Sequence, residues 1–198
     1  MNRTITTFFG LWLLAATALS ASGLLERAPM PAPQILLVAL TAMLLALCLR
    51  SSERRAWVEA LPLQVLVLLH ASRFVGIYFI ILYACGRLPY EFAVPAGLGD
   101  ICVASTALIV GTLPLRTRSG PILYAAWNVF GLLDILFVVV NAGRLGMMNP
   151  ESIAPLTRLP GSLLPTFLVP IIIAAHVILA LRLKPLLFKP AATGAKVA

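Results

Sequence analysis

Leu36–Leu49 reads LLVALTAMLLALCL, a run without a single charge. A transmembrane barrel strand alternates apolar and polar residues over about ten positions, whereas this run is apolar on every face, so it reads as a helix surrounded by lipid. Similar runs recur along the chain: roughly Ile5–Leu24, Pro33–Leu49, Leu61–Ala84, Gly97–Leu113, Pro121–Asn141 and Ser162–Leu183. Most come near the ~20 residues that cross ~30 Å of hydrocarbon at 1.5 Å per residue. The predicted fold is therefore all-α: a polytopic transmembrane bundle of six helices, or five if the first is a cleaved signal.

Composition agrees. With 61% hydrophobic and 11% charged residues over 198 positions, the chain lies far from soluble domains, which carry about 25% charged residues. Residues 1–189 read as one transmembrane domain, and Pro190–Ala198, PAATGAKVA, as a flexible cytoplasmic tail near anionic lipid headgroups. The longest connection, about Ala142–Gly161, shows no apolar core of its own, which argues against a soluble catalytic or nucleic-acid-binding module.

The net charge of +8 follows membrane topology better than nucleic-acid binding, since the basic residues sit at helix ends without a long cluster. One set of ends holds ten of them: Arg3, Arg50, Arg54, Arg55, Arg116, Arg118, Arg182, Lys184, Lys189 and Lys196. The other holds four, Arg27, Arg87, Arg144 and Arg158. The positive-inside rule makes the richer side cytoplasmic and places both termini there.

Met1-Asn2-Arg3, followed by an apolar run and Ala16-Thr17-Ala18 or Ser20-Ala21-Ser22, has the outline of a signal peptide. The run continues to Leu25, which favours a retained helix, and the later orientation is the same either way. Proline and glycine mark the connections at Pro31, Pro33, Pro89, Pro95, Gly97, Gly99, Gly120, Pro121 and Pro150 through Gly161. Arg87-Leu88-Pro89 recurs as Arg158-Leu159-Pro160, a match as readily due to shared turn chemistry as to duplication. Cys48, Cys85 and Cys102 lack the spacing of a redox dithiol or zinc site and read as small apolar residues.

Function is sought among the residues that hydrocarbon should exclude. Arg73 falls mid-way along the third run, Asp134 in the fifth, and Asp100 a few residues inside the fourth, where an N-terminal cap is the simpler reading. A charge at the bilayer centre costs about 2.5–3.5 kcal/mol on insertion scales, so Arg73 should pair with Asp100, Asp134 or both. Asn128, Gly131 and Asp134 recur at i, i+3 and i+6, as do His70, Arg73 and Gly76, which places polar and small residues on facing stripes. The expected result is a polar seam of Arg73, Asp100, Asn128 and Asp134 between the third, fourth and fifth helices. Such a pair can also serve only to fix helix register.

His70 and His176 fall at similar depths and could be axial ligands of a b-type haem; a neutral histidine bonded to a carbonyl or to Asn128 fits equally. Tyr90, Phe92, Tyr124 and Trp127 read as interface or packing aromatics. No phosphate loop, HExxH pair or GxSxG elbow is present, so neither a catalytic residue nor a metal site is indicated.

The segments RFVGIYF, VPAGLGDI, WNVFGLLD and LPTFLVP, between Arg73 and Leu183, resemble a family of uncharacterised bacterial multi-pass inner-membrane proteins. That resemblance covers somewhat over half the chain and implies a bacterial cell-membrane location, with no activity attached. The expected function is a small transporter or permeation component using the seam. The alternatives are a non-catalytic membrane partner or assembly factor and a haem-binding electron carrier. Expected partners are membrane lipids, with a membrane protein or a second copy possible and nucleic acid not.

Overall fold

The computed structural model describes residues 3–115, 117 and 119–188, with Arg3 by its backbone alone. The predicted tail 190–198 lies outside these residues, as do Arg116, Arg118, Lys189 and Lys196. The elements are α1 (Arg3–Ala21), α2 (Leu24–Arg27), α3 (Ala32–Leu49), α4 (Ser52–Ala60), α5 (Leu63–Leu68), α6 (Gly76–Ala84), α7 (Tyr90–Val110), α8 (Gly120–Met148) and α9 (Val169–Leu187). A 3-10 segment, Leu69–Val75, joins α5 to α6, and a π-helical turn, Leu164–Leu168, precedes α9. Counting these joined segments as one, six helices are long and apolar enough to cross a membrane, and no strand occurs among the described residues.

The bundle is apolar outside as well as inside. Leu14, Ile35, Val38, Ile109, Leu133 and Val140 are all exposed; a surface of that kind suits hydrocarbon. Lipid tails are as apolar as leucine, so cohesion between such helices comes from close packing and small residues. α7 is the centre of the arrangement and packs against α5, the 3-10 segment, α6 and α8. Its buried residues Phe92, Ala93, Ala96, Gly97, Asp100, Val103, Ala104 and Ala107 follow the helical period. At its closest crossing, a Cβ added to Gly76 would stand 2.5 Å from the Gly97 carbonyl oxygen and 2.7 Å from the Asp100 Cβ. The turn from α6 to α7 is equally tight. Gly86 takes φ 67°, a left-handed conformation that suits glycine, and the next amide, Arg87 N–H, donates to the Leu82 carbonyl at 2.8 Å.

Two sequence expectations change. The fourth helix begins at Tyr90, not Gly97, and carries Pro95 in its interior. Proline there deprives the Glu91 carbonyl of its helical N–H donor. Asn141 supplies the replacement, donating from Nδ2 to the Glu91 oxygen at 2.7 Å. The fifth helix likewise runs past Asn141 to Met148. The connection after it has no core of its own, and its 3-10 segment Pro150–Leu156 turns Ile153 and Leu156 into the core of the bundle. Tyr124 and Trp127 are core residues, bonded to the Leu113 carbonyl at 3.2 Å and to Thr106 Oγ1 at 3.1 Å; only Tyr90 is exposed.

Between helices, Arg182 on α9 donates to the Leu61 carbonyl at 2.5 Å and, at 3.2 Å, to the Val58 carbonyl, which also accepts from the Leu61 N–H at the end of α4. Arg158 pairs with Glu26 across the connections at the other end. The hydrogen bond from Arg158 holds the Glu26 carboxyl below its ordinary range. Its contribution to folding is therefore complete above the ordinary glutamate pKa and is lost as pH falls through the lowered value. All three cysteines are free.

Asn141→Leu should lower stability in detergent by about 1–3 kcal/mol, the cost of an unsatisfied buried carbonyl. Adding Pro95→Ala should recover part of the loss, because an alanine at that position again supplies an N–H to the Glu91 carbonyl. Thermal unfolding of the two single variants and the double variant measures this coupling, and purely additive effects would contradict it.

Candidate functional site

The geometry begins with the change of helix type in the third span. In a 3-10 segment residues three apart eclipse one another, so His70 and Arg73 lie in one line and Gly76 continues it into α6. Both His70 and Arg73 are fully buried. A buried guanidinium must have its donors satisfied, and this one is served from two neighbouring helices. Nε donates to Asp100 Oδ1 of α7 at 2.6 Å, and one terminal nitrogen donates to the Gly131 carbonyl of α8 at 2.8 Å. The other terminal nitrogen pairs with Asp134 Oδ2 of α8.

Arg73 thus pairs with both acids. Asp100 is no N-terminal cap, because α7 starts ten residues before it and its side chain is only 4% exposed. Asp134 is less enclosed, at 13%. Glycines make the room: a Cβ on Gly99 would collide with the Asp134 carboxylate, and one on Gly131 would lie 2.8 Å from His176 Cε1. Spacing signalled the Gly131 position. Nothing in the sequence signalled that of Gly99, whose neighbour lies on another helix.

Asn128 belongs to a second cluster on the same stripe. Its amide donates to the His176 carbonyl at 3.2 Å, which turns its oxygen toward the ring, and His176 Nδ1 lies 2.8 Å from that oxygen. Nδ1 therefore carries the proton, and Nε2 is left as an acceptor. The rings of His70 and His176 are 4.0 Å apart between centroids, with Trp127 5.1 Å from His70. Neither nitrogen of His70 has a hydrogen-bond partner, nor has His176 Nε2. A haem held by both imidazoles needs its macrocycle between them, and rings in direct contact do not fit one.

A cavity of about 70 Å³ borders the triad at Asp100, and neither histidine lines it. Leu37, Phe79, Ile135, Ile153 and Ile172 are among its walls, and Asp100 is its only ionisable lining residue. Among the described residues no group of three or more His, Cys, Asp or Glu is placed to hold a metal ion.

These features define a helical bundle of membrane-spanning dimensions with an enclosed ion triad at its centre. The chain belongs to the family of the domain of unknown function DUF8737, whose model matches residues 30–184. That stretch contains the triad and both histidines, while α1 precedes it. Comparison with curated proteins and with solved structures gives no match.

Removing one member of a buried ion cluster leaves an uncompensated charge, which costs about 3–5 kcal/mol. Arg73→Ala should therefore unfold far more readily than the exposed-pair variant Arg55→Ala. The neutral combination Arg73→Met with Asp100→Asn and Asp134→Asn should be less damaged than Arg73→Ala alone. Melting temperatures in one detergent test both orderings.

Proposed function

We propose that this chain is a small transporter or permeation component of a bacterial inner membrane, with both termini cytoplasmic. Arg73, Asp100, Asn128 and Asp134 are its polar path. The observation that carries this reading is the stoichiometry of the triad: one guanidinium, held by carboxylates from two different helices, with a cavity against one of them. Two carboxylates and one arginine leave one negative charge to be balanced by a proton or another cation. A pair serving only helix register needs one acid, and a second buried acid adds a desolvation cost without a packing reason. An acid that can exchange its partner while the arginine stays paired is the element a transporter requires, since a site must bind and release.

A non-catalytic membrane partner is the second reading, supported by the sparse anchoring of α1. Trp12 Nε1 donates to the Thr166 carbonyl at 3.0 Å and its ring meets Phe167 at 5.4 Å, while Leu11 and Leu14 face outward.

The test is proton flux into liposomes loaded with a pH-sensitive dye, under an imposed pH gradient. The wild-type chain should raise flux above empty liposomes, and folded Asp134→Asn should reduce that increment by at least about tenfold, as expected when a buried charge in a path is lost. Equal flux from wild type and Asp134→Asn would refute the reading. One stoichiometric membrane protein co-purifying with a flux-silent chain would favour the second reading.

A further inference from the structure

The triad is not symmetric about its arginine. Asp100 lines the cavity; Asp134 and Arg73 do not. Asp134 and the Gly131 carbonyl hold the guanidinium from α8, whereas Asp100, on α7, also borders a largely apolar cavity. If Asp100 turns toward the cavity, Arg73 keeps a carboxylate and a carbonyl. The two acids thus have separate work: one anchors the arginine and the other is free to meet a ligand.

The walls decide which ligand. Apart from Asp100, the lining offers polar side chains only from Gln34 and Thr157, and Gln34 Oε1 is buried without a hydrogen-bond partner. A hard inorganic cation such as Ca²⁺ takes about six to eight oxygen ligands, more than the side chains of Asp100, Gln34 and Thr157 supply. An anion would meet a carboxylate, with Arg73 shielded behind it. A neutral solute would leave the surplus negative charge of the triad to a proton and gain nothing from it. An ammonium group carrying carbon substituents meets each feature: its charge balances the triad, its N–H groups suit Asp100 and Gln34 Oε1, and its carbons suit Leu37, Phe79, Ile135 and Ile172. Since one water needs at least about 10–15 Å³ of such space, the 70 Å³ available admits a body of about five non-hydrogen atoms.

We infer that this cavity is a binding site for a small alkylammonium cation, with its charge at Asp100 and its alkyl body between α3, α6, α8 and α9. The inference rests on the transport reading for its biological use. Binding itself is measurable at equilibrium without flux.

Isothermal titration of the purified full chain with n-butylammonium, 1-butanol and butanoate tests it, the three probes differing mainly in charge. Butylammonium should bind at least about tenfold tighter than either of the others, and Asp100→Asn should lose at least about tenfold in its affinity, as truncation of one partner of a buried charge pair does. No butylammonium binding, equal binding of butanol, tighter binding of butanoate, or an unchanged affinity in Asp100→Asn would each overturn the inference. If Asp100→Asn does not fold, the three-probe series on the wild type decides alone. Butylammonium binding without proton flux would sink the transport reading and leave this one; flux with no butylammonium binding would do the reverse.

Discussion

A single guanidinium buried among apolar helices constrains most of this structure. Arg73 must place its donors on acceptors, and with no water to supply them they come from α7 and α8. That requirement fixes how closely both helices approach the third span. It also explains the small residues around it: Gly76 and Gly97 let backbones meet, Gly99 leaves space for the Asp134 carboxylate, and Gly131 offers both its carbonyl to Arg73 and an open side to His176. A side chain at any of these positions would push apart the groups that the arginine needs together.

The same accounting governs the backbone. Pro95 frees the Glu91 carbonyl inside α7, and Asn141, on the next long helix, supplies the missing donor. Leu61 and Val58 end a short helix, and Arg182 covers their oxygens. Asn141 and Arg182 thus answer local features of helix geometry, and they connect helices that apolar contact alone would leave free to slide.

Most exceptions to this economy lie around the triad. Three ring nitrogens of His70 and His176 lack partners, and a cavity touches Asp100 and is lined also by Gln34, whose Oε1 is unpartnered. Ser20 and Ser162 also carry buried hydroxyls without a partner, but four of the six unmet polar atoms belong to residues that contact or flank the charge cluster, His70, His176 and the cavity-lining Gln34. This distribution joins the proposed path to the proposed cation site: the arginine is the fixed part, and the acid beside the cavity is the adjustable one.

The sequence by itself determined the helical class and the approximate position of all six apolar spans, because a run with no polar face leaves its backbone no alternative in lipid. It also determined that Arg73 needed an acid, since only Asp100 and Asp134 lie at suitable depth, and the i, i+3, i+6 stripes placed Asn128, Gly131 and Asp134 on one face. Tertiary structure decided what depends on residues far apart in the chain: that both acids share the arginine, that Asn128 instead belongs with His176, that Pro95 continues a helix rather than ending it, and that Asp100 rather than Asp134 faces the cavity. The division has a physical cause. Hydropathy and helical period act within a few turns of one helix, whereas the satisfaction of a buried donor or carbonyl depends on whichever neighbour the packing brings within hydrogen-bond reach.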